Sequence, residues 1–115
     1  MAVDEQLLLV VGSDSMGDGE VDLGYKLMGA FLTQLVESGA VPAKAIFLNS
    51  GIYLTTEGSP VADQVQALER KGCAVFSCGT CLDYYGRTDK LLCGQVGNMR
   101  DTVRAMLDYE KLIRP

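Results

Sequence analysis

The stretch CAVFSCGTCLDYYG, residues 73–86, runs from an apolar segment through two cysteines into a segment of helical character. Residues 73–77 are apolar and rich in β-forming side chains, so they predict a short buried strand. Residues 80–85 predict a short helix, which Gly86 is suited to end. A strand that leads directly into a helix indicates a β-α-β unit, and the same order recurs on both sides of this stretch.

Strand-like and helix-like segments alternate along the whole chain. Further strands are predicted at 6–11, 45–48, 95–97 and 111–113, and further helices at 21–38, at 60–71 and from residue 99. Ser59 and Asn98 are suited to cap the last two helices, and Gly72 is suited to end the earlier of them. The alternation predicts a single α/β domain over residues 1–115, with a mainly parallel sheet and helices on both faces.

Two of the predicted helices carry apolar side chains at a helical repeat. In the helix at 21–38 these side chains are Leu27, Met28, Phe31, Leu32 and Leu35. In the last helix they are Met99, Val103, Met106 and Leu107. We expect both sets to face the core.

Composition and charge exclude several classes of function. The net charge of −5 argues against binding to nucleic-acid backbones or anionic membranes. The first residues are acidic where a secretion signal would be basic, and the longest apolar run, Leu7–Val11, is too short to cross a bilayer. We therefore expect a cytoplasmic protein. Thiols stay reduced in that compartment, so the four cysteines are expected to be catalytic, metal-binding or buried.

Parallel α/β sheets bind their ligands at the carboxyl ends of the strands. The candidate binding residues at these ends are Ser13, Asp14, Met16 and Gly17, then Asn49, Ser50 and Gly51, then Gly79 and Thr80, and finally Asn98 and Met99. Cys78 and Cys81 lie at the third of these ends and are the candidate catalytic residues.

The thiol pair at Cys78 and Cys81 suits nucleophilic chemistry. The thiolate is the reactive form, and the free N–H groups at a helix N-terminus favour it. Gly79 allows a ligand to approach the backbone, and Thr80 is suited to cap the helix. The alternative is that both cysteines are small buried apolar residues. The spacing and position of the pair favour the functional interpretation.

Two other uses of the cysteines are disfavoured. Thioredoxin-type oxidoreductases carry their motif after the first strand, opposite a proline, whereas this motif follows the third strand and has no suitably placed proline. Cys73, Cys78 and Cys81 match a ferredoxin spacing, with Cys93 as a possible fourth ligand. If residues 73–78 are extended, however, the first two sulfurs lie about 16 Å apart, which one cluster cannot bridge. We expect no metal site and no cofactor.

The run CGTCLDYYG, residues 78–86, resembles the motif region of DsrE/DsrF-like proteins. Similar pieces occur in order at 13–17, 49–51, 57–60 and 97–99, so the resemblance spans nearly the whole chain. It is strongest to the C-terminal domain of YedF-type proteins, which are sulfurtransferase-like proteins of selenium metabolism. The resemblance implies a five-stranded fold and a homo-oligomer (a dimer, trimer or hexamer). It also implies a persulfide on a cysteine eight residues before a glycine, which is Cys78 before Gly86.

We therefore expect a cysteine-based carrier of sulfur or selenium. Cys78 would accept the atom from a TusA-like domain or a cysteine desulfurase, and Cys81 would release it by attacking Cys78. The alternative is an oligomeric binding or regulatory module whose thiols form a redox switch.

Overall fold

Five β-strands and four α-helices alternate in the computed structural model, which describes residues 2–115. The strands are β1 (Ala2–Val11), β2 (Ala40–Phe47), β3 (Ala74–Cys78), β4 (Gln95–Gly97) and β5 (Lys111–Ile113). The helices are α1 (Val21–Glu37), α2 (Ala62–Arg70), α3 (Gly79–Tyr84) and α4 (Met99–Asp108), and a 3₁₀ helix covers Asn49–Leu54. Within residues 2–115, no helix has both the length and the apolar character needed to cross a bilayer.

The strands form one sheet in the order β4-β3-β2-β1-β5, and every neighbouring pair is parallel. Val11, Phe47 and Ser77 lie side by side in register near the carboxyl ends of β1, β2 and β3. The loops that follow these strands therefore leave the sheet at one edge. The predicted parallel α/β domain with helices on both faces is confirmed.

The two faces of the sheet are covered unequally. The larger core cluster joins α1 and α2 to the face that carries Leu9, Val11 and Phe47. On the opposite face, Ala105 of α4 packs with Leu8, Val10 and Ile46 in a smaller cluster. Most of the buried apolar surface therefore lies on one side of the sheet.

The face predicted for α1 is largely confirmed, whereas that predicted for α4 is wrong. In α1, Met28 and Leu32 are buried and Phe31 and Leu35 pack against the larger core cluster, whereas Leu27 is exposed. In α4, all four predicted core residues, Met99, Val103, Met106 and Leu107, are exposed. Thr102 and Ala105 are buried instead, because α4 contacts the sheet through small side chains that allow close approach. The apolar residues of α4 consequently face away from the sheet.

Several predicted boundaries also shift. The strands β1 and β2 begin earlier than predicted because they pair from Ala2–Ala40 onward, with an irregularity between Asp4 and Leu8. Thr80 is not a cap: Cys78 occupies the N-cap position of α3, and Thr80 is the second helical residue. The cap at Asn98 is confirmed, since its Oδ1 accepts a hydrogen bond from the Asp101 N–H at 2.8 Å.

Candidate functional site

The loops after β1 and β2 contact each other at the carboxyl edge of the sheet. The hydroxyl oxygens of Ser13 and Ser50 are 3.5 Å apart, and the Asp14 N–H donates to Ser50 Oγ at 3.3 Å. Gly51 lies against the last residue of β1, where any Cβ would overlap the Val11 carbonyl. Three of the predicted binding residues are thus brought together, and Gly51 has a packing role beside them.

The loop after β2 also contacts the cysteine motif. The Asn49 N–H donates a hydrogen bond to Cys81 Sγ at 3.1 Å. Asn49 has a φ of 51°, and among residues 2–115 it is the one non-glycine residue with a positive φ. This left-handed conformation costs about 1 kcal/mol, although asparagine tolerates it better than most residues. The Tyr85 hydroxyl donates to Asn49 Oδ1 at 2.8 Å and helps to hold the conformation.

The two motif cysteines differ in exposure. Cys78 ends β3 and is only 7% exposed, whereas Cys81 is half-buried. Burial raises the pKa of Cys81, and the adjacent Cys78 side chain raises it further, while the Asn49 N–H lowers it. For Cys81 this direction is opposite to that expected from a helix N-terminus, because the effect of burial is larger than that of the Asn49 N–H. The thiolate of Cys81 is therefore disfavoured relative to that of a solvent-exposed cysteine.

An open cavity of about 360 Å³ lies over Cys81. Its lining residues are Asn49, Thr80, Cys81, Tyr84 and Tyr85. The Tyr84 and Tyr85 rings are perpendicular in a T-shaped arrangement with their centroids 5.1 Å apart, and Tyr84 is 82% exposed. The cavity therefore offers the Cys81 sulfur to a ligand or partner beside an exposed aromatic wall.

A layer of side chains that the sequence did not single out supports this wall. The Tyr53 ring lies 5.0 Å from the Tyr85 ring, and the Arg87 guanidinium lies over Tyr53 at 4.5 Å. Arg87 is fixed in turn by hydrogen bonds to Thr56 Oγ1 and to the Glu57 carbonyl oxygen. Tyr53 and Arg87 carry no recognisable motif, so only the folded chain identifies their role.

Of four further predicted binding residues, Met16 and Asn98 have structural contacts, and Gly17 and Met99 are exposed. The Met16 N–H donates to the Gly24 carbonyl, and the Met16 side chain packs on the larger core cluster. Gly17 is exposed, with a φ of 86°. Asn98 caps α4, and Met99 is exposed on that helix. These contacts give Met16 and Asn98 structural roles in positioning α1 and α4.

The remaining cysteines, Cys73 and Cys93, lie away from the motif pair. The residues between Cys73 and Cys78 form the extended strand β3, as the separation argument required. Burial, and then the charge of Glu69, raise the pKa of Cys73 to about 12 and that of Cys93 to about 11, which makes both thiols unreactive. Across residues 2–115, no three Cys, Asp or Glu side chains are grouped as metal ligands.

The pKa of Cys81 predicts how its reactivity depends on pH. Only the thiolate is alkylated, and burial raises the pKa above its ordinary value. The rate of Cys81 alkylation by iodoacetamide should therefore rise about tenfold per pH unit from about pH 7 and keep rising beyond about pH 9. Peptide mass spectrometry of samples quenched over time measures this rate for Cys81 alone.

Two comparisons make the pH result specific. The alkylation rate of a cysteine-containing model peptide should stop rising at a lower pH, near the ordinary thiol pKa of about 8.5. In Cys78→Ala the pKa of Cys81 should fall, because the Cys78 side chain is one of the groups that raise it. If the alkylation rate of Cys81 in the native protein stopped rising at a lower pH than that of the peptide, the burial argument would be contradicted.

Comparisons with known proteins identify the fold. No family model matches the chain, and no curated protein matches it. The solved ychN protein from E. coli is similar, with a TM-score of 0.68 and 15% identity over 96% of this chain and 99% of that one. So is MTH1491, a protein of unknown function from Methanobacterium thermoautotrophicum, with a TM-score of 0.70 and 17% identity over 97% of this chain and 100% of that one. The chain shares the fold of these proteins, which supports the DsrE-like resemblance at the level of the fold.

Proposed function

We propose that this protein is a cysteine-based carrier of sulfur or selenium that holds the atom as a persulfide-type adduct on Cys78. The observation that carries the proposal is the side-by-side placement of the Cys78 and Cys81 thiols at the carboxyl edge of a parallel sheet, below an open cavity. The likeness of the motif region to YedF-type proteins supports the same function and motivates the test with selenium.

The chemistry needs only thiol exchange. A donor persulfide, on a TusA-like domain or a cysteine desulfurase, gives up its outer sulfur to a thiolate of this protein, and the donor thiolate leaves. For discharge, the Cys81 thiolate attacks the inner sulfur of the Cys78 persulfide. Hydrosulfide leaves for the acceptor, and a Cys78–Cys81 disulfide remains until a thiol reductant restores both thiols.

The exposed apolar residues of α4 support a homo-oligomer as part of this proposal. Met99, Val103 and Leu107 are 57%, 46% and 68% exposed, which is unusual for a helix of a monomer. Cytoplasmic placement belongs to the same proposal, since the mechanism needs reduced thiols. Sedimentation velocity of the native protein and of Leu107→Glu tests the oligomer: dissociation of the variant is expected, and a native monomer would overturn it.

Intact-mass measurement tests the carrier function. The reduced protein is incubated with a cysteine desulfurase and cysteine, and separately with selenocysteine lyase and selenocysteine. One added chalcogen atom per chain is expected, removable by reductant and located on Cys78 by peptide mapping. Because Cys78 is the buried holder, Cys78→Ser should retain less than about a tenth of the native adduct after gel filtration.

Cys93→Ser is the matched control, because it removes a half-buried thiol outside the motif and should load like the native protein. If no adduct forms in either incubation and oxidation gives only a Cys78–Cys81 disulfide, the carrier proposal fails. The protein is then an oligomeric binding or regulatory module whose thiol switch is that Cys78–Cys81 disulfide.

A further inference from the structure

In the proposed carrier, the buried Cys78 thiol is poorly accessible to a donor. The holding cysteine, Cys78, is 7% exposed and is not among the residues that line the cavity. Thiol exchange requires the attacking sulfur, the sulfane sulfur and the leaving sulfur to lie in line, so a bulky donor needs an accessible thiol. Cys81 is half-buried, lines the cavity and lies beside Cys78.

We infer that Cys81 is the thiol that receives the sulfur atom and that it passes the atom inward to Cys78. This inference rests on the proposed carrier function and adds the order in which the two cysteines act. The donor would be a persulfide presented at the open cavity beside Tyr84 and Tyr85. Cys78 then stores the atom away from solvent, where external thiols reach it slowly.

Both steps balance without an external oxidant. In the first, the Cys81 thiolate attacks the outer sulfur of a donor persulfide, a new S–S bond forms on Cys81, and the donor leaves as its thiolate. In the second, the Cys78 thiolate attacks the outer sulfur on Cys81, so Cys78 becomes the persulfide and Cys81 regains its thiolate. The donor thiolate takes up the proton that the receiving cysteine lost.

Asn49 has the geometry to assist the first step. Its N–H points at Cys81 Sγ from 3.1 Å, which stabilises negative charge on that sulfur and leaves the cavity side open. The N–H is aimed by the left-handed backbone of Asn49, which the Tyr85 hydroxyl holds through Asn49 Oδ1. A non-glycine residue in this conformation at a reactive sulfur is typical of a functional position.

The initial rate of sulfur loading tests the order. Glutathione persulfide serves as the donor, samples are quenched with iodoacetamide, and peptide mass spectrometry follows Cys78 and Cys81 separately. In the native protein the adduct should appear first on Cys81 and then on Cys78. Cys81→Ser and Cys81→Ala should both load Cys78 at least about tenfold more slowly, whereas Cys93→Ser should load at the native rate.

The variant Cys78→Ser provides the complementary measurement. It should still form the Cys81 adduct, and that adduct should be lost quickly to glutathione because no Cys78 thiol is present to take up the sulfur. Circular dichroism of each variant checks that slow loading is not caused by unfolding. If a folded Cys81→Ala loads Cys78 at the native rate, the order is wrong although the carrier function stands. If the native protein loads neither cysteine, the carrier function itself fails.

Tyr85→Phe tests the role of Asn49. Loss of the hydroxyl frees the Asn49 side chain, and the N–H that lowers the pKa of Cys81 should then be held less well. The pKa of Cys81, measured by alkylation, should rise, and loading of Cys81 should slow severalfold. An unchanged pKa with unchanged loading would remove Asn49 from the mechanism.

Discussion

Replacing Phe47 with alanine is expected to destabilise the protein by about 3–5 kcal/mol, because a fully buried ring is lost from the larger core cluster and leaves a cavity. Phe47 is fully buried at the end of β2, in register with Val11 on one side and Ser77 on the other. Its ring belongs to the larger core cluster, which joins the sheet to α1 and α2. Because the free energy of unfolding of a domain is typically about 5–15 kcal/mol, this loss is a large fraction of the total stability.

Urea denaturation followed by circular dichroism measures this loss as a fall in the transition midpoint. Phe76→Ala is the matched control, because Phe76 is half-buried on the opposite face, with the Lys44 ammonium 4.7 Å from its ring centroid. The control should cost only about 1–2 kcal/mol, from partial burial and a cation–π contact. Equal losses in the two variants would contradict the unequal covering of the sheet.

Replacing Gly51 with alanine is expected to impair both stability and the site. The new Cβ would overlap the Val11 carbonyl oxygen and lie 3.2 Å from the carbonyl carbon. The same oxygen accepts the Leu48 N–H at 2.9 Å, so relieving the overlap must move the start of the 3₁₀ helix. We expect a loss of about 1–3 kcal/mol or more, since the obstacle is backbone that cannot rotate away.

The displaced segment includes Asn49, so Gly51→Ala should also weaken the hydrogen bond to Cys81 and slow sulfur loading. The matched control is Gly19→Ala, because a Cβ at Gly19 meets no atom within 4 Å and its φ lies outside the left-handed range. Urea denaturation of both variants, with the alkylation rate of Cys81, gives the comparison. A Gly51→Ala protein as stable as Gly19→Ala would show that the close approach is not required.

The sequence alone predicted the order and kind of the secondary structure well. The strands at 95–97 and 111–113, the Asn98 cap and the glycine that ends the cysteine helix all match the structure. The thiol pair was also placed correctly at the carboxyl edge of the sheet. These features depend on local signals, namely apolar runs, capping side chains and glycine, which act within a few residues of one another.

The tertiary structure decided the features that depend on distant residues. Asn49 and Cys81 are 32 positions apart, and Asn49 and Tyr85 are 36 apart, so no local pattern could link them. The periodicity of α4 shows which residues share a side of that helix, but the sheet decided which side is buried, through Thr102 and Ala105. The same spacing that pairs Cys78 with Cys81 leaves open which thiol is exposed. Strand register and packing bury the first and open the second, because they set which side chains other elements cover.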